Sequence, residues 1–211
     1  MRPSAATTFY GPALVSELGE HPQVLPYTDR WLRAAWLHSE PLAFEPAEEW
    51  TDEFLDWDEK RDLERPRTLH KGNGWVCIRP GRAEGSLLGG CLETIAWHVR
   101  GTDIWIDPGG AVLFLETSEE SPSPAHVYGY LTTLERDGVL DLIAGLVIGR
   151  PYGYDEEAKK ALFEVIARHT ESAGIPVLAD VDLGHTDPML TLPLGATATL
   201  DAAGLRFSIE R

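Results

Sequence analysis

The sequence predicts an α/β domain built on a mixed sheet with helices on one side, and three observations carry that expectation. Short runs of apolar, β-branched and aromatic residues, AVLFLE at 111–116 and IPVLAD at 175–180 among them, have the length of buried strands and are too short for helices. Between them lie segments with apolar residues at helical spacing, the longest over 155–173. The two kinds of segment alternate without the regular strand–helix–strand repeat of a purely parallel sheet. Composition narrows the function classes. Eighteen basic against 34 acidic residues give a net charge of −16, which repels a phosphate backbone, so nucleic acid is not an expected partner. No apolar run approaches the roughly 20 residues of a membrane-crossing helix, and no membrane partner is expected. Cys77 and Cys91 stand in apolar or glycine-rich sequence rather than in a spaced framework. They read as buried free thiols, and with no apolar stretch behind Arg2 the expected location is the cytoplasm.

In chain order, Thr7–Tyr10 reads as a strand ended by Gly11-Pro12. A lone strand cannot bury itself, so it pairs with later strands, with another subunit, or with an element outside this chain. Thr28–His38 carries Trp31, Leu32, Ala35 and Trp36 at helical spacing, which predicts an amphipathic helix capped by Thr28 or Asp29 with its tryptophans in the core. Ser39–Lys71 is rich in Pro, Glu, Asp and Trp, and Pro41, Pro46 and Pro66 forbid a long helix. It reads as a linker and an ordered functional loop. Trp75–Arg79 is a strand. Gly81–Gly90 reads as a glycine-punctuated turn into a helix from about Cys91 to Val99, and Gly89-Gly90 is either a plain tight turn or a place where backbone approaches an anion. Ala125–Asp137 and Asp155–Ala173 are predicted helices, the second stopped by Gly174. Leu140–Ile148 and Pro176–Asp180 are predicted strands, and Ala196–Leu200 with Leu205–Ile209 forms a hairpin.

Two residues stand out chemically. Glu116 ends the AVLFLE run, so a rigid strand delivers one carboxylate to the sheet edge before Thr117–Pro122 breaks the pattern. His185 sits in the Gly-His turn of IPVLADVDLGHTDPMLTLPLG. If the two meet, a fixed carboxylate and imidazole can handle a proton; spacing alone favours a strand-end surface acid and a turn histidine. The other histidines show no metal-ligand spacing, so neither a metal nor a cofactor is expected.

The motifs TFYGPAL, GEHP, GGCL, VLFLE, IAGLVIGR, IPVL and GHTDPMLTLPLG, in this order, resemble the C-terminal half of the LD-carboxypeptidase family of serine peptidases, in its microcin-immunity branch. The resemblance runs from Thr8 almost to the end. It implies a flavodoxin-like N-terminal domain bearing the nucleophilic serine and a mixed-sheet ββα C-terminal domain of the swivelling type. Residues 1–27 would then be a remnant of the first, 28–74 a helix, linker and substrate loop, and 75–211 the second. His185 is implied as general base and Glu116 as the carboxylate that fixes its tautomer. Trp57, in AEEWTDEFLDW, is implied to stack on an adenine with Trp50 as neighbour, and Gly90 and Cys91 of GGCL to lie at the substrate, Cys91 standing where the motif usually has Asn. Glu119 and Glu120 stand where that branch is basic, which disfavours a phosphate. The family's serine belongs to an elbow upstream of TFYGP. Seven residues precede Thr8, and Ser4 lacks the elbow's glycines, so the chain is expected to lack its nucleophile and to be inactive alone. The resemblance thus implies the C-terminal part of a carboxypeptidase or amidase for a peptide or peptidyl-nucleotide-like small molecule, partnered by a missing N-terminal domain or a second copy in a homodimer. An inactive binding or dimerisation module, or one subunit of a split peptidase, are the alternatives.

Overall fold

The computed structural model describes residues 7–210, and VLFLE forms a strand at its centre. Ser4 lies outside the described residues. In chain order the elements are β1 (Phe9–Tyr10), α1 (Pro26–Leu37), β2 (Leu42–Phe44), β3 (Glu49–Trp50), β4 (His70–Lys71), β5 (Val76–Arg79), β6 (Arg82–Cys91) and α2 (Leu92–Thr94, continued by a π-helical turn, Ile95–Val99). They continue with β7 (Val112–Glu116), α3 (Pro124–Arg136), α4 (Val139–Leu142), β8 (Gly145–Gly149), α5 (Glu156–His169), β9 (Val177–Val181), β10 (Leu192–Pro193), β11 (Thr197–Asp201) and β12 (Arg206–Ile209). Eight strands form one mixed sheet in the order β2-β12-β11-β6-β7-β8-β9-β5, parallel from β6 to β9 and antiparallel at both flanks. No helix among the described residues is long and apolar enough to cross a membrane.

The parallel strands are apolar on both faces, and each face needs a cover. Leu113, Leu115, Leu146 and Ile148 pack with Leu131 and Leu134 of α3 and Leu162 and Ile166 of α5. Val112, Phe114, Val147 and Leu178 face the other way, against a cluster that includes Trp31 and Ala35 of α1. Helices therefore cover both faces, which corrects the one-sided arrangement expected from the sequence.

Local expectations fail where tertiary contacts override them. Gly81–Gly90 is not a turn: residues 82–91 form the ten-residue β6, hydrogen-bonded between β7 and β11. Its glycines serve close approach rather than reversal, because a Cβ at Gly85 or Gly89 would lie 2.0 Å from the carbonyl oxygen of Gly110 or Phe114. The predicted strand over 140–148 is divided, its first residues completing α4 and only 145–149 forming β8. Helix α1 begins at Pro26 with Leu25 as its cap. Thr28 is instead buried, and its hydroxyl accepts the Met189 N–H at 3.1 Å. Trp31 is buried as expected, whereas Trp36 is 59% exposed and meets Phe9 edge-on. Helix α5, capped by the Asp155 side chain, ends at His169 rather than Ala173. Both cysteines are free, but half-buried rather than buried. The opening strand takes the first of the partners open to it, pairing antiparallel with β10.

Gly89→Ala is expected to destabilise the domain by about 3 kcal/mol, since backbone rather than a movable side chain occupies the space. Gly129→Ala, at an open position on α3, should instead stabilise by about 0.5–1 kcal/mol. Urea unfolding of the two variants checks both signs.

Candidate active site

The parallel register brings the carboxyl ends of β6 to β9 to one edge of the sheet, the edge at which open α/β sheets build their sites. Glu116 closes β7 there and is 3% exposed. Its Oε2 accepts the Nδ1–H of His185 at 2.7 Å. Two glycines make room for this contact. A Cβ on Gly149 would lie 2.9 Å from the Glu116 Cβ, and one on Gly184 would lie 3.1 Å from it. Gly184 also has a φ of +109°, which turns the chain so that the next residue faces β7.

The loop carrying His185 is held by charge. Asp182, fully buried, accepts from Arg150 Nη2 at 2.6 Å, from the Trp75 indole N–H at 2.8 Å and from the Ala47 backbone N–H at 3.0 Å. Arg150, itself buried, lies over the Trp50 ring, 5.2 Å from its centroid. Asp187 exchanges both backbone hydrogen bonds with Thr51, at 2.7 and 2.9 Å, so the histidine loop and the 45–57 loop are tied together. Arg67 bridges Asp187, at 2.8 Å, and Glu20. Burial pushes the Asp187 carboxyl up to about 6, with Arg67 opposing the shift.

The exposed part of His185 opens into a cleft of about 720 Å³, lined also by Tyr10, Phe54, Trp57, Tyr152 and Met189. Phe54 and Trp57 pack edge to face at 5.3 Å. At the far side of the imidazole, Nε2 lies 2.9 Å from Glu119 Oε2. The hydrogen bond to Glu116 raises the His185 pKa above its ordinary value, the charges of Glu116, Glu119 and Glu93 add to it, and burial works against it.

The structure thus joins Glu116 to His185 and puts Trp57 on the wall of the same cleft. Gly90 and Cys91 sit at the end of β6, paired in register with Leu115 and Glu116, and are not among the lining residues. The Cys91 thiol is pushed up by burial. Sequence reasoning missed the Arg67–Asp187 bridge and the place of Glu119 on Nε2. The Asp two residues beyond His185 was the one local sign of the first. The second depends on how the loop after β7 folds back.

The sequence model of the LD-carboxypeptidase C-terminal domain matches residues 84–200. The chain belongs to that family. Among its curated relatives, the microcin C7 self-immunity protein MccF of Escherichia coli is 32% identical over 96% of this chain and 58% of its own length. Among solved structures, MccF in complex with glutamyl sulfamoyl guanosine is 31% identical, with a TM-score of 0.79 over 97% of this chain and 61% of that one. An MccF-like protein from Streptococcus pneumoniae in complex with AMP is 27% identical, with a TM-score of 0.84 over 97% of this chain and 63% of that one. The chain spans about three-fifths of the length of such relatives. Within the LD-carboxypeptidase C-terminal domain, the matched segment holds β7, β8, β9 and the histidine turn, and so both partners of the Glu116–His185 contact.

Two outcomes test this geometry. In an NMR titration the His185 ring should change charge above the ordinary histidine midpoint of about 6.5, and Glu116→Gln should bring the midpoint down. Because the folded pKa is the higher one, the pair's contribution to stability is full below the unfolded value and fades as pH rises through the folded one. Asp182→Asn should destabilise by about 3 kcal/mol in urea unfolding, because it removes the nearer of the two buried carboxylates that face Arg150, leaving Asp180 at 3.7 Å.

Proposed function

We propose that this chain supplies the proton-handling half of a serine-type carboxypeptidase or amidase acting on a peptide or peptidyl-nucleotide-like small molecule. The observation that carries the reading is the 2.7 Å hydrogen bond between a buried carboxylate and a half-exposed imidazole at the wall of a cleft. Glu116 holds Nδ1 protonated, which directs the lone pair of Nε2 toward the cleft. His185 then takes the proton of an attacking hydroxyl and returns it to the leaving group, and the carboxylate stabilises the imidazolium in between. Among the described residues the ring's partners are Glu116 and Glu119, and neither carries a hydroxyl. We therefore assign the hydroxyl to a portion outside the described residues, in keeping with the share of its relatives' length that the chain does not span. In this reading residues 1–27 are a remnant of the nucleophile domain, 28–74 carry the substrate loop with Trp57, and 75–211 hold the pair. The relative's complex with glutamyl sulfamoyl guanosine supports a small acyl compound as the substrate class.

The contact between Glu119 and Nε2 favours a second reading, a binding module whose imidazole is permanently occupied. Kinetics separate the two. The chain alone should not hydrolyse an aminoacyl sulfamoyl nucleoside or a peptide amide. Fused to the portion of Escherichia coli MccF that it does not cover, it should turn over one of them. His185→Ala should reduce that rate to background and Glu116→Gln should lower kcat on the order of 10³–10⁴-fold. Turnover indifferent to His185 overturns the catalytic reading.

A further inference from the structure

The cleft has a charge that the proton-handling role does not explain. Eight acidic side chains line it, and Arg67 is the one arginine or lysine among the described lining residues. That arginine is already bound to Glu20 and Asp187. Glu17, Asp52 and Asp62 have no cationic partner among the described residues, and Asp187, 5% exposed, keeps Oδ1 without a hydrogen-bond partner there. The same cleft is lined by the exposed rings of Phe54 and Trp57, 62% and 46% exposed. Carboxylates beside exposed aromatic rings form the surroundings that attract an ammonium or guanidinium group and repel a phosphate.

Glu119 connects this charge to the reacting centre. Its side chain is 64% exposed and, among the described residues, is anchored only by its end, at Nε2 of His185. That nitrogen must be free for the imidazole to accept a proton, so the carboxylate has to leave before reaction. A cation entering the cleft gives it somewhere to go.

We propose that the cleft selects a substrate bearing a positively charged group, and that Glu119 leaves His185 to pair with that group, so that a cation both binds and uncovers the base. The inference rests on the reading of the cleft as the substrate site and adds the substrate's charge to it.

Equilibrium binding to this chain tests it without any turnover, so its failure and that of the catalytic reading are told apart. The probes are N-acetyl-lysine amide, its neutral isostere N-acetyl-norleucine amide, and AMP, titrated by calorimetry. The lysine amide should bind about tenfold tighter than the norleucine amide and weaken with added salt, while AMP should not bind measurably. Glu119→Gln, at an exposed position, should narrow the preference about threefold through the lysine amide alone. The His185 Nε2 resonance should move with the lysine amide and stay with the norleucine amide. Equal affinity for the two amides, tighter binding of AMP, no binding of the lysine amide at millimolar concentration, or an unmoved His185 resonance in its complex each overturns the proposal.

Discussion

The hydrogen bond from His185 to Glu116 is the contact around which the domain is arranged. A buried carboxylate is tolerated only where it has a partner, and a histidine in a turn is useful only where something fixes its ring. Each residue supplies what the other needs. The contact requires that β7 bring Glu116 to the sheet edge, that Gly149 and Gly184 leave space for it, and that the chain beyond β9 fold back over that edge. Replacing either glycine by any other residue would put a Cβ where the Glu116 side chain stands.

The fold-back depends on a second buried pair. Arg150 follows β8 and Asp182 follows β9, so adjacent parallel strands present opposite charges at neighbouring ends. Asp182 also takes the Trp75 indole and the Ala47 amide, and through them it draws in the loop that carries Trp50, Phe54 and Trp57. Three segments distant in sequence are thereby held by one carboxylate. Such a network contributes little net stability compared with apolar packing, and its effect is to specify one arrangement of the loops. The site is buried at its base, and Glu119 is its exposed carboxylate at the imidazole.

How much of this could be read in the sequence follows from how local each signal is. Strands β7 and β9 and helices α3 and α5 were legible because their own apolar periodicity and caps define them. Strand β6 was not, because GRAEGSLLGG reads as a turn until β7 and β11 lie against it and the glycines are seen to admit their backbones. The alternative cover provided by α1 was hidden for the same reason: nothing in TDRWLRAAWLH says which face of the sheet it meets. At the site, the strand-end acid and the turn histidine were conspicuous residues, and the order of motifs joined them. The cleft was not legible at all, since its wall comes from segments spread over residues 10–67 and 116–189, brought together by the Asp182 and Asp187 contacts. Its surplus of acidic groups was diluted in an acidic chain and became visible only as a lining.

The account turns on which nitrogen of His185 keeps its proton when the ring is neutral. Glu116 is buried and Glu119 is exposed, so the hydrogen bond that water competes with least is the one at Nδ1. Long-range ¹H–¹⁵N spectra of the imidazole, recorded above its titration, measure this directly. The account predicts the Nδ1–H tautomer with Nε2 unprotonated toward the cleft; a neutral ring protonated at Nε2 would contradict it.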